Sequence, residues 1–476
     1  MAAPISARQI FLEETARTRR SSKKEMKEFI KESESKITSL DSQIAALVER
    51  RERERSVLAS LQCISAPIRT VPVELLAEIF TLIMREEAQH LSHFKQAFWL
   101  SHVCAHWREV ANTIPRLWIG PIVVANPRIL PMAEDASIDV MQNWLSRSAP
   151  LSVPVLITIR RRQDETSDIP LVLEELLRIS HRWGSLHIRG SPPPALLRRL
   201  VEQGKDSLEG LFLSNLDGPP YILSLNTTPR HRQVSILGTT LLEMPWAQLT
   251  DLTLNISDDP SSILAQCTHL ITASLVVHAV LTVLTQRSTS TFTLYHLRSL
   301  FLCHVGSSEF FMHRLCAPAL ENLHVGQAKW TEARFAAFLL RSPNITQLEI
   351  SRSHLTPDAL RVILTYTPSL THLSLTDHPH LETLLNALRY EEGTIPLVPH
   401  LHNLVLRCSS PGQDLRTTIA SRWWTDTELV SLSSPPAVAR WTSVQVKSWS
   451  HGAVERFAKT MADMVHQGLN FSISFA

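Results

Sequence analysis

Seven segments of this 476-residue chain share one pattern, an aliphatic residue at the first, fourth and sixth places of a hexapeptide. They are LEGLFL at 208–213, LTDLTL at 249–254, LRSLFL at 297–302, LENLHV at 320–325, ITQLEI at 345–350, LTHLSL at 370–375 and LHNLVL at 401–406. One such match carries little weight, because leucine is common. Four of them, however, start at 297, 320, 345 and 370, at intervals of 23, 25 and 25 residues. Alternating apolar positions after a polar turn predict a short strand with one buried side. Between them, TEARFAAFLLRSPN at 331–344 and LTPDALRVILTYTPS at 355–369 carry helical apolar patterns and predict return elements. A strand and its return cannot bury an apolar side alone, so neighbouring units have to stack into one continuous core.

That period lies in the leucine-rich-repeat range. Residues 119–476 are therefore expected to form an irregular leucine-rich-repeat solenoid, and the chain is placed in the α/β class. WGSLHI at 183–188 reads as an opening strand, CTHLITASLVV at 267–277 as a divergent unit, and WTSVQV at 441–446 and LNFSI at 469–473 as late strands. DLRTTIASRWWTDTELVSLSS at 414–434 reads as a further return. Positions between the buried ones, including Thr250, Asp251, Arg298, Glu321, His324, Glu349, His372 and Asn403, are expected to line the strand face.

Residues 8–64 follow another rule. Neither Pro nor Gly occurs between Pro4 and Pro67, and charged residues, Ser and Ala dominate. A heptad places Ile30, Ile37, Ile44 and Leu58 at one core position and Leu40, Leu47 and Leu61 at the other. Arg51 and Glu54 fall on the same seam, and Ser33 weakens its start. Two readings stay open: a short coiled coil or helical hairpin, with homodimerisation through residues 26–61, or one long amphipathic helix lying partly on its own protein.

Residues 67–118 change character again. After two prolines, VELLAEIFTLIM predicts a helix that Pro72 can begin, with Leu75, Leu76, Ile79, Phe80, Leu82 and Ile83 on a broad buried face. AFWLSHVCAHWREVANTIP carries Phe98, Trp99, Val103, Trp107 and Val110 at helical spacings, with Pro115 after the helix end and Leu117 and Trp118 folding back on the core, and two or three helices are expected to pack around these residues.

Signs of catalysis are few. HExxH, GxSxG, GxGxxG and the phosphate-binding GxxxxGK[ST] are all missing, and 13 glycines leave little material for phosphate loops. His102, Cys104 and His106 sit two apart in a helical region, so they and the nearby His90 and His93 do not converge on a metal. The carboxylates at 164–168 and 257–260 read as polar loops. Six unpatterned cysteines indicate no disulfide framework. A net charge of +2 and 6% aromatic residues argue against a nucleic-acid partner. The amino terminus lacks a secretory core, and no apolar run is long enough to span a membrane. No enzyme activity and no cofactor are expected, and the expected compartment is cytoplasmic, nuclear or both.

PIRTVPVELLAEIF followed by WLSHVCAHWREVANTIPRLW resembles an F-box-like domain of the kind found in mushroom-type fungi, where a charged helix precedes the box and leucine-rich repeats follow. The resemblance implies a substrate receptor of an SCF-type cullin–RING ubiquitin ligase, docking on a Skp-type adaptor and through it on a cullin scaffold. Residue by residue, it implies that Pro72 and Leu75 lead the adaptor-binding surface, followed by Ile79 and Phe80. Val103, Cys104 and Trp107 match the closing Val-Cys-x-x-Trp, and Pro115, Leu117 and Trp118 the terminal Pro-x-Leu-Trp. On this reading Cys104 is a small buried group and the tryptophans are packing or interface residues. The leading Leu-Pro of the family is Val71-Pro72 here, and residues 85–95 lengthen the link between the two helical parts. The repeats would hold an unknown protein substrate; the alternative is a ligase-independent interaction scaffold.

Overall fold

In the computed structural model the described residues are 23–86, 92–125, 134–159, 171–190, 192–204, 206–216, 222–224, 230–238, 241–256, 260–278, 291–305, 312–327, 332–352, 356–376, 381–408, 411–431 and 435–475. The chain divides into two compact units, Met1–Phe80 and Thr81–Ala476.

The first unit is dominated by α1, Lys23–Ile64, a single helix of 42 residues. With neither Pro nor Gly inside it, nothing interrupts its hydrogen-bond ladder. It stops where the chain must enter Pro67: Ala66 is extended, at φ −61° and ψ 128°, as a residue before proline prefers. The hairpin reading is thereby corrected. The heptad residues Ile30, Ile37, Leu40, Ile44, Leu47, Leu58 and Leu61 of α1 are exposed. The part of the expected segment before residue 23 lies outside the described residues.

A short 3-10 turn, Pro67–Arg69, leads to α2, Val73–Glu86, in which the boundary between the units falls. Beyond it come α3, Ser92–His102, and α4, Ala105–Thr113, then a second 3-10 turn, Pro115–Trp118.

The rest of the chain is built on β1 (Ile122–Ala125), β2 (Val153–Ile159), β3 (Trp183–Gly190), β4 (Gly210–Leu216), β5 (Ile222–Ser224), β6 (Gln233–Gly238), β7 (Leu241–Glu243), β8 (Asp251–Ile256) and β9 (Thr272–His278). It continues with β10 (Phe292–Thr293), β11 (Ser299–Val305), β12 (Leu315–Cys316), β13 (Asn322–Gly326), β14 (Gln347–Ser351), β15 (His372–Thr376), β16 (Asn403–Cys408), β17 (Ser443–Ser448) and β18 (Phe471–Phe475). Fourteen of these make one sheet in the order β1-β2-β3-β4-β6-β8-β9-β11-β13-β14-β15-β16-β17-β18. Every neighbouring pair in it is parallel. The other four form two short parallel pairs, β5 with β7 and β10 with β12. Parallel neighbours need a return between them, and several returns are helical, such as Glu332–Leu340, Pro357–Thr365 and His451–His466.

Each of the seven hexapeptides places its third residue at or just beside a strand start, and its first, fourth and sixth residues are buried. In LRSLFL, Leu297, Leu300 and Leu302 are 0, 1 and 4% exposed. Register aligns these positions across the sheet. Leu300, Leu323, Leu348, Leu373, Leu404 and Val444 form one aliphatic ladder, and Leu302, Val325, Ile350, Leu375, Leu406 and Val446 form a second. Each such side chain contributes roughly 1.5–3 kcal/mol of burial free energy, so the ladders carry the core. Among the described residues no helix is long and apolar enough to cross a membrane.

Candidate functional site

The residues singled out between 72 and 118 have unequal fates. The Pro72 carbonyl accepts the Leu76 N–H at 3.0 Å, so Pro72 immediately precedes the first helical turn of α2. Leu76, Phe80 and Met84 recur every fourth residue along α2 and are buried. Beside them runs a second apolar stripe: Leu75, Ile79, Leu82 and Ile83 are 57, 38, 54 and 39% exposed. The broad buried face expected from the sequence is thus two stripes, one in the core and one in solvent. Adjacent residues in a helix point about 100° apart, which the apolar pattern alone did not separate.

AFWLSHVCAHWREVANTIP forms two helices, which with α2 makes three, within the two or three expected of residues 67–118. At the end of α3 the His102 ring stacks on Phe98 with centroids 3.9 Å apart. Val103 follows, 59% exposed. Cys104 is then fully extended, at φ −159° and ψ 171°, and its sulfur accepts the Trp107 N–H at 3.4 Å, starting α4. Cys104 is half-buried and caps a helix rather than filling a core. Across this corner Arg108 donates from Nε to the Ser101 carbonyl at 3.0 Å. Phe98 and Trp99 on α3 are exposed.

Leu117 and Trp118 are each 1% exposed. Trp118 donates from Nε1 to the Ala111 carbonyl at 2.8 Å, meets Trp144 edge-on at 5.0 Å, and carries the Arg147 guanidinium over its ring at 4.5 Å. Phe80, Leu117 and Trp118 are therefore core residues. Pro72, Leu75, Ile79 and Val103 are exposed, and Cys104, Trp107 and Pro115 lie between these extremes.

The second candidate is the face of the parallel sheet opposite the aliphatic ladders. One row across it runs Phe301, His324, Glu349, Ser374, Val405 and Gln445. Phe301 stacks on His324 at 4.2 Å, and His324 Nδ1 lies 2.9 Å from Glu349 Oε2. That hydrogen bond holds the Glu349 carboxyl below its usual range, against the opposing effect of burial. Gly326 sits beside His324, and a Cβ there would come within 3.1 Å of Ser351 Oγ. In the neighbouring row Asn403 donates to His372 Nε2 at 2.7 Å and accepts from Thr442 Oγ1 at 2.8 Å. Burial first, and His402 second, hold His372 below its usual value. Near the strand starts lies an open groove of about 360 Å³, lined by Arg232, Thr250, His269, Tyr295, His296 and Arg298 among others. Thr250 and Arg298 were expected on this face; the two histidines and Tyr295 belong to turns that the hexapeptide pattern does not reach.

Among the described residues no group of three or more His, Cys, Asp or Glu side chains is placed to hold a metal. His90 and the carboxylates at 164–168 lie outside them. Burial pushes the Cys267 thiol up to about 12 and Cys408 up to about 11, which keeps both protonated and poorly nucleophilic. What both candidate surfaces offer is contact area: an exposed apolar stripe along α2 and a broad mixed-polarity strand face on the sheet. Compared with known proteins, the sequence matches no family model and no curated protein.

Proposed function

We propose that this chain is a substrate-recognition adaptor of an SCF-type cullin–RING ubiquitin ligase. Residues 67–118 act as an F-box-like domain that docks on a Skp-type adaptor and through it on a cullin scaffold. Residues 119–476 act as an irregular leucine-rich-repeat solenoid whose strand face holds a protein target. The chain contributes proximity and orientation, and supplies no catalytic residue and no cofactor.

The observation that carries the reading is the exposed stripe Leu75, Ile79, Leu82 and Ile83 on the helix that follows Pro72. It falls where the resemblance puts the adaptor-binding surface, and an apolar helix stripe in solvent is suited to a partner's groove. The target-binding half of the reading rests on the strand face, which mixes His, Glu, Asn, Arg and aromatic side chains without a basic stripe and so suits a protein better than a nucleic acid.

Reconstitution tests it. Purified full chain mixed with a Skp-type adaptor and the amino-terminal part of a cullin is expected to co-elute as a ternary complex. Elution of the folded chain apart from the adaptor sinks the proposal.

A further inference from the structure

The seam of α1 is apolar, exposed and interrupted at one place. Ile30, Ile37, Leu40, Ile44, Leu47, Leu58 and Leu61 are 53–65% exposed, and Arg51 and Glu54 interrupt them at successive core positions of the heptad. Among the described residues Arg51 meets only its neighbour Glu52, at 2.8 Å and with both side chains more than half exposed, a pair of little energetic weight. Glu54 has no ion-pair partner among the described residues.

We propose that α1 pairs with α1 of a second copy of this chain, antiparallel, over residues 41–64, about a two-fold axis between Glu52 and Arg53. The charges select this arrangement. A parallel in-register pair stacks each core position on itself, setting Arg51 against Arg51 and Glu54 against Glu54, and bringing Arg50 beside Arg55 across the seam. Reversing one helix places the two kinds of core position opposite each other. Arg51 then faces Glu54 of the second copy, Leu47 faces Leu58 and Ile44 faces Leu61, and the two-fold axis makes each contact twice. Flanking Arg50 meets Val57 and Arg55 meets Val48, so no like charges touch. Sliding the pair by one heptad sets Arg51 against Leu47 and Glu54 against Ile44, which strands both charges on aliphatic side chains. This inference does not depend on adaptor binding.

The test uses the full chain carrying a spin-labelled ketone residue at Ser35 or Ser56, which leaves the native cysteines unlabelled. Sedimentation should give a dimer, and pulsed EPR should place the Ser35 labels about 50 Å apart, from a 35-residue axial offset, and the Ser56 labels within about 25 Å. Arg51→Glu alone should weaken the dimer at least tenfold with helicity kept, and adding Glu54→Arg should restore it. A monomer, a Ser35 separation below about 25 Å, or a dimer indifferent to Arg51→Glu overturns the proposal; the last two are what a parallel pair gives.

Discussion

His231 stands at the first place of HRQVSI, where the other strand-forming hexapeptides carry a buried aliphatic or tryptophan side chain. It is 0% exposed, and neither ring nitrogen has a hydrogen-bond partner among the described residues. Burial pushes its pKa down to about 4. The unfolded chain, with histidine near 6.5, therefore binds more protons than the folded one between those values. Stability is complete above about 6.5 and falls as pH drops towards 4, by on the order of 3 kcal/mol. His231→Leu is expected to raise the thermal midpoint at pH 7, because two buried unsatisfied nitrogens disappear, and to raise it further at pH 5. An unchanged pH dependence in the variant, followed by calorimetry, excludes His231 as the source. Cys104 supports a second prediction. Cys104→Ser keeps an N-cap acceptor, whereas Cys104→Ala loses it and should cost about 1 kcal/mol in denaturant titrations.

At the scale of elements, the strands were legible and the faces of the helices were not. A strand alternates with period 2, so LTHLSL states which side chains are buried as soon as it is recognised as a strand. Leu373→Ala should therefore cost about 2–5 kcal/mol by denaturant unfolding, and Ser374→Ala on the other face less than about 0.5 kcal/mol. Strands β2 and β6 were not named from the sequence, because VPVLITI has a proline inside it and HRQVSI begins with a histidine. In α2 nearly every position that is not charged is apolar, and a 3.6-residue period cannot say which of two apolar stripes meets the core. The break between α3 and α4 was hidden for a different reason. Cysteine is an uncommon cap, and VCAHW offers none of the Ser, Thr, Asp or Asn signals that mark a helix start. At β3, Gly190 was equally silent: with φ at +97°, a Cβ there would lie 1.9 Å from the Ile159 carbonyl oxygen, so only glycine fits.

At the scale of the whole molecule, the chain carries a 42-residue helix in one compact unit and a 14-stranded parallel sheet in the other. Glu349 acts in the same direction as His231 on acidification. Its lowered pKa adds stability that is present above the usual carboxylate range and lost as pH falls through the folded value. The midpoint of thermal unfolding should accordingly fall in two stages below neutrality, and Glu349→Gln should diminish the lower one and leave the upper one in place. The central claim is nevertheless one of docking, and it meets its most direct test in titration calorimetry of the full chain with a purified Skp-type adaptor. The account predicts a 1:1 complex that Leu75→Asp or Ile79→Asp weakens more than tenfold, as loss of a central apolar anchor does, while His324→Ala on the strand face leaves it unchanged. Folded wild-type chain that releases no heat with the adaptor, or that binds it equally well with aspartate at residue 75 and at residue 79, contradicts the account.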